Sequence, residues 1–129
     1  MYQHQIHFTL EGASEALPQV KAQVKRLVQL KRELDANGYD IQTRNYQAGS
    51  APNGQGPHPP MLQELAEILN DLEVQGILVK GFDEGLIDFP HIRENGEEVY
   101  LCWKLGEKRI GYWHRIPDGF AGRRPVADL

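Results

Sequence analysis

The sequence predicts an α+β fold, in which an N-terminal antiparallel hairpin of two helices packs on a C-terminal antiparallel meander of three to four strands. Two observations predict it. Apolar residues recur at three- and four-residue steps through the first part of the chain, and from Ile77 onward they alternate. Asn95-Gly96 also stands between two alternating segments, which is a strong hairpin signal. At 129 residues the chain suits one domain, 1–129, with a single core.

The first helix is expected to open around Phe8–Glu11, with Thr9 capping free backbone N–H groups and Glu11 near the positive end of the helix dipole. Pro18 cannot donate to the carbonyl of Ser14, so a restart or kink is expected there. Leu17, Val20, Val24, Leu27 and Leu34 then form one apolar stripe, and Asn37-Gly38 supplies a stop. Ile41, seven residues after Leu34, leaves open a helix that runs further. Residues 47–60 are rich in Gly and Pro and predict a mobile insertion. Gly54 and Gly56 lack the spacing and the trailing Lys-Ser/Thr of a phosphate-binding loop.

Pro60 suits the first turn of the second helix. Leu62, Leu65, Ala66, Leu69 and Leu72 share a face opposite Glu64, Glu67, Asp71 and Glu73, and Gly76 closes the helix. Both stripes are best explained as mutual packing. The hairpin thus covers 9–76, the sheet 77–115 and a tail 116–129.

The strands are expected at 77–79, 86–93, 97–105 and 108–115. Two-residue turns at Asn95-Gly96 and Gly106-Glu107 would set Asp88 opposite Trp103 and Val99 opposite His114. Leu86, Ile92, Val99, Leu101, Trp103, Leu105 and Ile110 would then face the helices. The other side would carry Arg93, Glu98 and Arg115, then His91, Tyr100 and Trp113, then Phe89, Cys102 and Gly111. Such an aromatic face needs a cover: the C-terminal segment, a second copy, or a ligand. A three-residue turn at Gly106-Glu107-Lys108 is the alternative, and it would move Trp113 into the core.

The composition excludes several classes. A formal charge of −4 and a pI near 5.7 disfavour a nucleic-acid binder. The acidity lies in residues 1–89, with 7 Lys+Arg against 12 Asp+Glu, while residues 90–129 hold 7 against 6. Cys102 is the only cysteine, so no internal disulfide is possible and a reducing compartment fits. The N-terminus has no signal-peptide pattern, and no apolar run approaches the ~18 residues of a membrane span. A cytoplasmic location is expected.

Candidate binding residues are His91, Tyr100, Cys102, Trp113 and Arg123, with no catalytic residue, metal or cofactor expected. Asp88, predicted on the core face, would need donors; it either braces a turn or serves chemistry. The assumed register puts its alpha carbon about 16 Å from that of His114, too far for a shared proton or metal. Cys102 and His91 lie diagonally on neighbouring strands, and an inert buried thiol is the expectation. Arg123-Arg124 either grips an anion or ties the tail to the acidic helices.

The strings Gly85–Pro90, Val99–Glu107, Ile110–His114 and Gly119–Arg123, with the opening Phe8–Glu11, resemble the domain of unknown function 2203 family. The resemblance implies a bacterial cytoplasmic protein and lends no activity. Two functions are therefore weighed. One is a non-enzymatic interaction module, either a homo-oligomer or bound to a protein partner. The other is a small-ligand or anion-binding protein, either a plain binder or an enzyme, built on the aromatic face and the C-terminal arginines.

Overall fold

The computed structural model describes residues 1–39 and 58–129, so Ile41 and most of the Gly/Pro-rich stretch lie outside the described residues. Helix α1 spans Leu10–Ala36 and helix α2 spans His58–Gln75. The Thr9 hydroxyl accepts the Gly12 N–H at 2.9 Å, the expected cap. The restart expected at Pro18 does not occur; α1 continues through it as one helix. Pro18 and Ser14 both face solvent, so water can satisfy the carbonyl that loses its partner.

Leu17, Val20, Val24, Leu27 and Leu34 of α1 are buried with Leu62, Leu65 and Leu72 of α2, whereas Ala66 is exposed. Arg26 clasps Glu64 bidentately at 2.7 and 2.8 Å and aligns the two helices. Both side chains are about 40% exposed, so this pair sets alignment more than stability. Lys31, buried in α1, is held by Asp35 and by Asp83 of the turn that follows residue 81.

The sheet has five strands rather than three or four, all antiparallel and in chain order. They are β1 (Leu78–Gly81), β2 (Leu86–Ile92), β3 (Glu98–Lys104), β4 (Tyr112–Arg115) and β5 (Arg124–Pro125). The fifth comes from what composition marks as tail. At the β1–β2 turn the Gly85 backbone passes so close to α1 that a Cβ there would lie 2.9 Å from Val24. Its φ of +67° also favours glycine.

Both hairpins differ by one residue from the register that two-residue turns would impose. The Arg93 N–H bonds the Glu97 carbonyl and the Gly96 N–H bonds the Arg93 carbonyl, each at 2.8 Å. The first turn is therefore Glu94-Asn95-Gly96, with Gly96 in the left-handed region at φ +89°. In the second hairpin Leu101 pairs with Trp113 and Tyr100 with His114, the register of the three-residue alternative. The Glu107 carboxylate accepts the Lys104 N–H at 2.8 Å, and its carbonyl accepts the Trp103 indole N–H at 3.0 Å.

Side-chain parity follows at once. On β3 the expected core residues Val99, Leu101 and Trp103 are indeed buried against the helices. On β2 and β4 inside and outside are exchanged. Ile87, Phe89 and Trp113 join the core, while Asp88, Tyr112 and His114 share the opposite face with Glu98, Tyr100 and Cys102. The exposed aromatic patch with Phe89 and Trp113 does not exist. Those rings are 0% and 1% exposed.

The N-terminal segment covers part of the second face. The Phe8 N–H bonds the Pro90 carbonyl at 2.7 Å on the β2 edge beyond β1. The N–H groups of Gln3 and His4 donate to the Glu98 carboxylate at 2.7 and 3.0 Å, and His7 Nε2 donates to it at 2.7 Å. Tyr2 reaches the Gly96 carbonyl. Among the described residues no helix is long and apolar enough to cross a membrane.

Candidate functional site

On the face opposite the helices, three strands each contribute one chemistry-bearing side chain to a common point. Asp88 of β2 pairs directly with Cys102 of β3, and Cys102 pairs with Tyr112 of β4. His114 lies two residues beyond Tyr112, on the same face. It reaches across β3 so that Nε2 lies 3.2 Å from both oxygens of Asp88. The separation expected from two-residue turns is corrected by the register. The Asp88 carboxylate, Cys102 Sγ and the His114 ring all fall within 4.8 Å of one another, and all three residues are buried.

The rim is polar and aromatic. Lys80 of β1 lies 3.6 Å from Asp88 and 4.4 Å from the Tyr100 ring. The Tyr100 ring meets that of His114 edge-on at 5.5 Å, and its hydroxyl shares a 2.6 Å hydrogen bond with His4 Nε2. Lys80 is 39% exposed and borders the otherwise buried centre.

Proton positions follow from the partners. The Arg115 carbonyl can only accept, so His114 Nδ1, at 2.8 Å, carries a proton. Nε2 facing a carboxylate carries the other, which makes the ring an imidazolium. Burial opposes that charge, but the Asp88 carboxylate and the Arg115 carbonyl outweigh it and raise the His114 pKa above its ordinary value. Burial, reinforced by Asp88, pushes the Cys102 thiol up to about 12. Desolvation likewise raises the Tyr100 pKa, so its phenol keeps its proton at neutral pH.

The other residues singled out from the sequence sit elsewhere. His91 pairs with Val99 on the helix-facing side and donates Nδ1–H to the Phe8 carbonyl at 2.7 Å, so it is no partner for Cys102. Trp113 is core, with its indole N–H on the Pro125 carbonyl. Arg123 bonds Glu107 at 2.7 Å and stacks over Tyr112 and Phe120. It thus ties the tail to the β3–β4 connection rather than to the helices. Tyr100 and Cys102 alone remain at the polar centre, joined there by Asp88 and His114.

A family model described as "Uncharacterized conserved protein (DUF2203)" matches residues 7–126. The chain belongs to that family. Neither a curated protein nor a solved structure matches this DUF2203 chain. The match takes in Asp88, Tyr100, Cys102 and His114, so the whole centre lies within the family's domain.

Proposed function

We propose that this protein is a non-enzymatic binding module whose ligand site is the polar centre of Asp88, Cys102 and His114. One observation carries the reading: three side chains of different donor chemistry, from three strands, are buried at one point. Stability does not call for such a cluster, because a buried ion pair is often no more stabilising than apolar residues of similar volume.

The protonation pattern argues for binding rather than nucleophilic catalysis. The thiol is held protonated, and both nitrogens of the neighbouring His114 imidazole are already donating. A single unpaired cysteine accords with a reducing, cytoplasmic setting. Self-association through an aromatic patch around Trp113 gains no support, since that ring lies inside the fold.

The test is an amide-resolved NMR titration of chelator-treated protein with a panel of small ions and polar metabolites. Binding here moves the signals of Asp88, Cys102 and His114 while those on the outer face of α1 stay in place, and Asp88→Asn removes the response. A panel that leaves all three amides unmoved overturns the reading.

A further inference from the structure

The geometry points to a divalent transition-metal ion of the zinc class as the ligand, held by the Asp88 carboxylate, Cys102 Sγ and His114 Nε2. This rests on the polar centre being the binding site, and it adds the chemical class of what binds.

Distance gives the first argument. Nε2 lies 3.2 Å from each Asp88 oxygen, longer than the ~2.7–2.9 Å usual for a charge-assisted hydrogen bond. Two ligand atoms about 2.0–2.1 Å from a tetrahedral zinc ion stand about 3.3 Å apart. Nitrogen and oxygen are thus already spaced as two corners of a coordination tetrahedron. The whole set spans no more than 4.8 Å, so Sγ reaches the third corner by a side-chain adjustment.

The orientation of His114 gives the second. A metal-ligating histidine normally donates its other ring N–H to a carbonyl or carboxylate, which fixes the tautomer. Here Nδ1–H on the Arg115 carbonyl does that and aims Nε2 at Asp88.

Charge and donor type give the third. Carboxylate plus thiolate neutralise a divalent ion, and a nitrogen–oxygen–sulfur set suits zinc or cobalt over magnesium or calcium, which prefer oxygen alone. The ion takes the place of two protons, one from Sγ and one from Nε2, and both leave to solvent. A water or a ligand atom would fill the fourth position, and the partly exposed ammonium of Lys80, 3.6 Å from Asp88, would have to give way to the ion's charge.

The experiment titrates chelator-treated protein with cobalt(II) and follows its absorption. The expected result is saturation at one ion per chain, with a near-ultraviolet sulfur-to-cobalt charge-transfer band that zinc(II) bleaches. Cys102 is the only cysteine, so no other side chain can supply a thiolate. Cys102→Ser should abolish the band, and His114→Gln should weaken binding by on the order of ten-fold or more.

Parent protein without the band overturns the proposal, and that arm needs no variant to fold. A band unchanged in His114→Gln and Asp88→Asn, each checked by circular dichroism, overturns it too. If cobalt and zinc fail while another compound moves the Asp88, Cys102 and His114 amides, the binding-module reading stands and the metal falls. If nothing moves them, both fall.

Discussion

Glu98 holds the N-terminal segment on the sheet, and removing its carboxylate isolates that contribution. Its oxygens accept from Gln3 N, His4 N and His7 Nε2 at 2.7–3.0 Å, and the side chain is 7% exposed. A hydrogen bond to a charged group contributes about 1.5–3 kcal/mol. Gln3 is exposed and regains water when released, so two bonds at the lower figure give a loss of about 3 kcal/mol for Glu98→Ala. For a chain of this length that is a fall in Tm of about 10 °C.

The sign with pH is set by the same contacts. Burial pushes the carboxyl up, but His7 and the two amides pull it further down, and its folded pKa is lowered. The stabilisation is therefore fully present above the unfolded-state value and fades as the pH falls through the folded one. Parent and variant should converge in acid. Thermal melts across pH, with hydrogen exchange at the Gln3 and His4 amides, measure both effects. A variant that keeps those amides protected and melts with the parent at neutral pH would refute the reasoning.

Other expectations follow from burial and pairing. Trp113→Ala should cost about 3–5 kcal/mol in urea unfolding, as for a large core side chain, and parental stability would mean that the ring lies outside. Asp88→Asn should cost about 3 kcal/mol by leaving a buried imidazolium unpaired, while Asp88→Leu combined with His114→Phe recovers most of it in thermal melts. If the double replacement is no better than the single, the pair is a structural brace. Lys31→Met should stay within about 1 kcal/mol of the parent, because Asp35 and Asp83 are 42% and 60% exposed and water replaces the ammonium. A loss well beyond that would show that the charge itself anchors the helix.

The helices were legible because periodicity and caps are local: the Leu17–Leu34 stripe, the Thr9 cap and the stop at Asn37-Gly38 all appear. Pro18 misleads because a single solvent-facing carbonyl is easily satisfied by water. Strand positions were legible to within a few residues, and the core face of β3 was assigned correctly. The candidate site was not. Asn-Gly reads as a two-residue turn, yet Gly96 serves as the last of three, and that single residue decides which neighbours face Cys102. Asp88, Cys102 and His114 have no motif spacing because each comes from a different strand, so register was the only signal that could unite them.

The dependence on two turns has a consequence for how such a chain tolerates change. An inserted or deleted residue at Glu94–Gly96 would rotate β2 by half a twist against β3, sending a carboxylate among leucines and a phenylalanine into solvent. Loop tips are where proteins usually accept length variation. These two tips should be among the places where this one accepts least.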